Sequence, residues 1–131
     1  MEITREKQTK LYDAEKGLRG NCMVATYANF LGLKISDCPA FEELFACTKP
    51  NGFWYSCVEL WWKHHGYEIF HAKNKSEIPL ECEYYFAYGI SNRDVMHQVI
   101  YKNGELFFDP HPSNDGILTE EGFEYVIKLI P

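Results

Sequence analysis

Apolar residues recur at helical spacing in the first half of the chain and at alternating spacing in the second half. The segment CMVATYANFLGL carries two neighbouring stripes of apolar or small residues at the spacing of an α-helix. This pattern predicts a largely buried helix that begins at Cys22. We expect Asn21 to cap its start and Gly32 to end it.

Two further helices are predicted from start and stop signals. Ser36-Asp37, followed by a proline, predicts a second helix that runs to about Cys47. A turn is expected over residues 48–52, which include a proline and a glycine. Ser56 has a glutamate three residues later, the spacing of a capping box, and predicts a third helix, VELWWKHH, that ends at Gly66.

From Tyr67 onward, aromatic and β-branched residues predict strands of a mostly antiparallel sheet. The predicted strands cover 67–73, 84–90, 95–101, 105–109 and 124–130. Helices followed by strands indicate the α+β class, with the N-terminal helices packed on the sheet. The polar residues 1–19 are expected to form a loop or an extended arm.

Length and composition narrow the possible functions. A chain of 131 residues, 46% of them hydrophobic, is expected to form one domain over residues 1–131. The 16% aromatic share favours a β-rich interior or a lined pocket. Because 19 acidic residues outnumber 13 basic ones, with no basic run, nucleic-acid binding through phosphates is not expected.

The chain also lacks the signals of membrane and secreted proteins. No apolar run approaches the roughly 18–20 residues of a membrane span, and the charged N-terminus has no apolar signal segment. We therefore expect a cytoplasmic protein with no membrane partner. The five cysteines are odd in number and without CxxC spacing, so free thiols are expected, with neither a metal nor another cofactor.

Cys22 is the first candidate for chemistry, because it opens the predicted buried helix after Gly20-Asn21. Unsatisfied N–H groups and the positive end of the helix dipole favour a thiolate at that position. A sulfur there would be open to a substrate carbonyl. The alternative is a small buried thiol that serves only for packing.

His97 and Asp109 are the second candidate, and the turn between their strands decides whether they meet. Asn103-Gly104 is a strong hairpin signal. A two-residue loop would place His97 and Asp109 on opposite faces of the hairpin. A three-residue loop over 102–104, with Gly104 left-handed in a bulge, would place them on the same face, and we expect this bulged turn.

In the bulged register, Val99 faces Phe107 and His97 faces Asp109, with Cβ atoms about 4.5–5.5 Å apart. Asp109 would then fix the tautomer of His97 and stabilise its imidazolium form. The alternatives are a core histidine and a strand-ending Asp-Pro turn. Together with Cys22, the two residues supply the three parts of a cysteine acyl-transfer site.

The order of these residues resembles that in papain-like cysteine peptidases, and it is most similar to their C39-like branch. The chain also resembles a group of small, mostly uncharacterised bacterial and phage proteins with a GNC…H…DPHPS pattern. The shared segments cover nearly the whole chain: GNCMVATYANFLGL, CPAFEELF, the WW of ELWWKHHGY, and GISNRDVMHQVIYKNGELFFDPHPSNDGIL.

The resemblance implies a papain-like fold and acyl transfer through a thioester, with Cys22 as nucleophile, His97 as general base and then acid, and Asp109 as the residue that orients it. The expected partner is a protein, peptide or small amide substrate whose peptide, isopeptide or other amide bond is hydrolysed. Deamidation and acyl transfer to an amine remain open, as does the oligomeric state. A non-catalytic papain-like binding module, such as a phage-encoded antagonist of a host protein, is the alternative from another class.

One position departs from the family. Papain-like enzymes usually carry a glutamine six residues before the nucleophile as an oxyanion-hole donor, and here that residue is Lys16. Asn21 or the Lys16 ammonium could replace it. Losing one such donor typically costs about 10²–10³ in rate, so an active hydrolase needs a substitute.

Four further residues are candidates for substrate binding. His111 could line the pocket or serve only as a turn histidine between prolines. Ser91 and Arg93 could bind a carboxylate or phosphate, or lie in a solvated loop. Trp62 could form the wall of a groove, although a Trp61-Trp62 pair on a helix more often has one member in the core and one half-exposed.

Overall fold

A computed structural model describes residues 3–48 and 53–130, and over these residues three α-helices precede five strands. The helices are α1 (Cys22–Leu31), α2 (Phe41–Thr48) and α3 (Phe53–His64), and short 3₁₀ turns cover Ile35–Asp37 and Lys75–Glu77. The predicted α+β class is confirmed. None of the helices in the described part of the chain has the length and apolar character needed to cross a bilayer.

The strands form a single antiparallel sheet. They are β1 (Tyr67–Ala72), β2 (Tyr84–Ile90), β3 (Met96–Lys102), β4 (Glu105–Phe108) and β5 (Thr119–Lys128). The strand order is β1-β5-β2-β3-β4, so the last strand lies between the first two. β5 begins five residues earlier than predicted, because its polar N-terminal part pairs with the end of β2 past a bulge after Tyr88.

The core forms between α1 and the sheet. Seven of the ten residues of α1 are buried, and Tyr27 packs edge-on against Phe86 and Trp62 with ring centroids 5.1 Å apart in each pair. Trp62 is fully buried in this cluster, so its predicted place on a groove wall is wrong. Trp61 is only partly buried, as expected for one member of the pair.

Two predicted helix starts are wrong. Ile35–Asp37 is only a 3₁₀ turn, because Cys38 precedes a proline and adopts an extended backbone, which delays α2 to Phe41. Ser56 lies inside α3 and caps nothing, since the Ser-x-x-Glu spacing also suits a helix interior. The turn predicted over 48–52 lies outside the described residues apart from Thr48, which ends α2.

The N-terminal residues pack along the body of the protein. The backbone N–H of Thr4 donates to the carbonyl of Asn29 on α1 at 3.0 Å. Further along, the N–H of Gln8 donates to the carbonyl of Pro110, just past β4, at 2.9 Å. We call residues 3–12 the arm, and it connects the start of α1 with the end of β4. A small hairpin closed by Asp13 and Leu18 then leads into α1.

Candidate active site

Cys22 is the first residue of α1, as predicted, but Asn21 does not cap the helix with its side chain. Instead, Asn21 Oδ1 accepts from the backbone N–H of Lys10 at 3.0 Å, and Nδ2 donates to the Thr9 hydroxyl at 2.8 Å. Asn21 therefore attaches the arm to the helix start. Asn21 is buried and lines neither of the two clefts around Cys22 described below, so the structure does not support its predicted role as oxyanion donor.

His97 and Asp109 form a buried ion pair. His97 Nε2 and Asp109 Oδ1 are 2.6 Å apart, and the two side chains are 3% and 1% exposed. Backbone N–H groups hold the carboxylate from two further directions, from His111 at 2.8 Å and from Gly116 at 2.7 Å. Asp109 is therefore fixed in position before any substrate binds.

The turn that brings His97 and Asp109 together differs from the one predicted. Lys102 pairs with Glu105, so the loop is the two-residue Asn103-Gly104 turn, with positive φ at both residues. A bulge then follows within β4, because Ile100 pairs with Phe108 while Tyr101 pairs with Leu106.

Phe107 is the extra residue of this bulge. With the two-residue turn alone, His97 and Asp109 would lie on opposite faces of the hairpin, and the extra residue returns Asp109 to the face of His97. His97 and Asp109 therefore meet as predicted, but through a bulge inside the strand. The predicted Val99–Phe107 pair is wrong, since the bulge leaves Phe107 without a partner in the β3–β4 register, and the two side chains pack in different hydrophobic clusters.

Cys22 stands next to this pair, since Cys22 and His97 together line two clefts and the thiol contributes to the raised pKa of His97. With Nε2 bonded to Asp109, Nδ1 is the ring nitrogen left for the sulfur. Burial alone would lower the pKa of His97, but the hydrogen bond to Asp109 and the interaction with the neighbouring Cys22 outweigh it and raise that pKa to about 9. Burial likewise opposes the charge of Asp109, but its hydrogen bonds from His97 and the backbone hold its pKa below the usual value. At neutral pH the ring is therefore a cation between a carboxylate and a sulfur.

No family model, curated protein or solved structure matches this chain. The chemistry available to the site therefore follows from its geometry. A sulfur at a helix start beside a protonated imidazole and a fixed carboxylate has the parts that nucleophilic catalysis by a thiol requires.

Clefts open on both sides of the Cys22–His97 pair. The arm-side cleft, of about 420 Å³, is lined by Gln8, Leu11, Tyr12, Arg19, Gly20, Glu42, Phe45, Arg93, Val95 and His111 besides the pair and Met96. The aromatic cleft, of about 340 Å³, is lined by Met23, Trp54, Tyr55, His71, Tyr88, Gln98 and Glu124 besides the same three residues. The Cys22 sulfur therefore has different surroundings in the two clefts.

Gln8 is a site residue that the sequence reasoning missed. It lines the arm-side cleft, and its Nε2 donates to the carbonyl of Lys10 at 2.9 Å, which leaves the second amide hydrogen available. Lys16 lies exposed in the small hairpin and lines neither cleft, so its predicted role near the sulfur is wrong. The hairpin closed by Asp13 and Leu18 explains this placement, because position 16 falls within it and not beside the start of α1.

The predicted binding residues separate into two groups. Arg93 and His111 line the arm-side cleft, and the His111 ring stands perpendicular to that of His97 with centroids 6.0 Å apart. Ser91 lines neither cleft, because it is buried and its hydroxyl donates to the Val95 carbonyl at 3.0 Å. Trp54, unlike the buried Trp62, lines the aromatic cleft.

A buried carboxylate forms part of the aromatic cleft. The hydroxyls of Tyr27 and Tyr55 donate to Glu124 at 2.7 and 2.6 Å, and Gln98 Nε2 donates at 3.2 Å. Glu124 is 1% exposed, and its burial raises its pKa even though the tyrosines donate to it. Alternation within β5 could have indicated an inward-facing glutamate, but it could not have revealed its partners.

All five cysteines are free. Within the described residues, no group of three or more His, Cys, Asp or Glu side chains is arranged to hold a metal ion.

Proposed function

We propose that this protein is a cysteine-dependent acyl-transfer enzyme of papain-like, C39-like type, which hydrolyses a peptide, isopeptide or other amide bond. The observation that carries the proposal is the buried 2.6 Å pair of His97 and Asp109, with Cys22 at the start of α1 lining the same two clefts as His97. Each member has a defined part as nucleophile, acid–base and orienting group.

In the first step the Cys22 sulfur attacks the amide carbon, and the carbonyl electrons move to the oxygen. The C–N bond then breaks as His97 gives its proton to the leaving nitrogen, which leaves a thioester. Water next gives a proton to His97 and attacks the thioester carbon, so the C–S bond breaks and the acid is released. An amine in place of water gives transfer, and ammonia as the leaving group makes the first step a deamidation.

The developing oxyanion needs donors, and we assign them to Gln8 Nε2 and the backbone N–H of Cys22. Gln8 shares the arm-side cleft with the sulfur, and one amide hydrogen is not used by Lys10. This assignment replaces the donor that is missing at Lys16.

Thiol labelling tests the proposal without a known substrate. At about pH 6, roughly 0.3% of an ordinary thiol is ionised and reaction with iodoacetamide is slow, so the proposed nucleophile Cys22 should be labelled about tenfold faster or more than an ordinary exposed cysteine. Exposed Cys47 supplies the internal comparison in the same peptide map. His97→Gln should remove the advantage, and Cys22→Ser should remove the labelled peptide.

Labelling of Cys22 no faster than that of Cys47 would contradict the enzyme proposal. That result would favour the alternative, a non-catalytic binding module in which the same clefts hold a partner without reaction.

A further inference from the structure

The two clefts beside the sulfur differ in charge, and this difference bears on the substrate. We infer, on the basis of the proposed function, that the substrate carries a carboxylate beside its scissile amide, bound by Arg93 and Arg19 in the arm-side cleft. Neither arginine forms an ion pair with any residue in the described part of the chain. Acidic residues outnumber basic ones in this chain, so two arginines in one cleft would ordinarily have acidic partners, and their lack of one among the described residues favours an anionic ligand.

Arg93 keeps most of its guanidinium available. Its one hydrogen bond from the guanidinium to a described residue runs from Nη1 to the Ser113 hydroxyl at 3.0 Å. Arg19 lies over the ring of Phe45, with its Cζ 5.7 Å from the ring centroid. A planar guanidinium fork suits a carboxylate, which it can bind through two parallel hydrogen bonds.

The loop before β3 is built to hold Arg93 at the cleft. Ser91 is buried, and its hydroxyl accepts from the backbone N–H of Arg93 at 3.3 Å while donating to Val95. Asp94 then takes a left-handed backbone with φ 62°, which closes the turn. The contribution of Ser91 is thus to position the arginine.

The neighbouring charges leave the cleft positive. Glu42 also lines it, and its Oε2 lies 2.7 Å from Lys10 Nζ, which is also 3.8 Å from Glu43, so these three groups together carry one negative charge against the two of Arg19 and Arg93. Lys7 adds a further cation close by, since its ammonium donates to the carbonyls of Asp109 and His111. Burial lowers the pKa of His111, and the charges of Arg93, His97 and Lys7 lower it further, which is the response expected in a positive region.

Three small electrophiles that differ only in their carboxylate test this inference. Chloroacetyl-glycinamide is neutral, chloroacetyl-glycine carries an α-carboxylate, and the α-amide of chloroacetyl-glutamate carries a side-chain carboxylate. At least one anionic probe should alkylate Cys22 about two- to fivefold faster than the neutral probe, the size expected for unit charges a few ångströms apart in water. The faster of the two anionic probes identifies the source of the carboxylate, a chain end or an acidic side chain.

The arginine variants separate the cleft from the charge of His97, which attracts any anion. Arg93→Gln should reduce the anionic-to-neutral rate ratio, the Arg19→Gln/Arg93→Gln pair should reduce it further, and added salt should do the same in the wild type. Lys63→Gln, an exposed change on α3 outside both clefts, should leave the ratio at its wild-type value.

The inference is overturned if neither anionic probe outpaces the neutral one, or if the ratio survives in the double variant. Failure of the proposed function gives a different result, since the neutral probe would then not select Cys22 over Cys47.

Discussion

Raising the pH through the pKa of His97 should weaken the fold by an amount set by the interactions of the protonated ring with Asp109 and Cys22. The pKa of this histidine rises from the ordinary 6.5 to about 9 in the folded protein. A pKa raised by folding stabilises the protein fully below about 6.5, and that contribution is lost as the pH approaches and passes about 9. At about 1.4 kcal/mol per pH unit, the loss amounts to about 3 kcal/mol.

Urea denaturation at about pH 6, 7.5 and 9.5 measures this loss. Other groups titrate in the same range, so the quantity of interest is the difference between the wild type and His97→Gln at each pH. We expect the wild-type free energy of unfolding to fall by about 3 kcal/mol more than that of the variant across the range. An NMR titration of the His97 ring gives the folded-state pKa independently.

The reasoning is refuted if the wild type and His97→Gln change in parallel with pH, or if the His97 ring titrates near 6.5. Asp109 does not contribute to this change between about pH 6 and 9.5. Because its pKa is lowered in the folded protein, its contribution to stability is lost only as the pH falls into the acid range.

Three further predictions follow from the packing and the site. Gln8→Ala should slow acylation of Cys22 by a thioester about 10²–10³-fold relative to its alkylation by iodoacetamide, and an equal effect on both reactions would contradict the oxyanion assignment. Trp62→Ala should lower the free energy of unfolding by about 3–5 kcal/mol in urea, while Trp61→Ala, at a partly exposed position, should cost clearly less; equal costs would contradict the packing described. Gly89→Ala should abolish or severely reduce folding as measured by circular dichroism, because a Cβ there would overlap the carbonyl of Thr119 on β5, and a stable variant would show that this strand pairing is wrong.

The local elements could be predicted because their signals lie within a few residues. Gly32 ends α1 with a left-handed φ of 72°, as its position after the last apolar residue predicts. The order of Cys22, His97 and Asp109 was also enough to predict which residues meet. The detail of that meeting was not predictable, because the bulge at Phe107 depends on how β4 packs, and no turn residue marks it.

The residues that the sequence did not predict at the site are those far from their partners along the chain. Gln8 lies fourteen positions before Cys22, and only the hairpin closed by Asp13 and Leu18 brings it back to the cleft. Glu124 could be placed on a strand but not beside Tyr27 and Tyr55. The reason is that β5 inserts between β1 and β2, so the strands do not lie side by side in chain order.

The docking of the arm has a consequence for when the site forms during synthesis. Lys7 donates to the Asp109 carbonyl across 102 positions of the chain, and Gln8 reaches Pro110 over a similar separation. Contacts of such high contact order close late in folding. A nascent chain that has emerged only as far as α3 contains Cys22 but neither His97 nor Asp109, so the three groups can come together only after β3 and β4 have been synthesised and the arm has docked beside them.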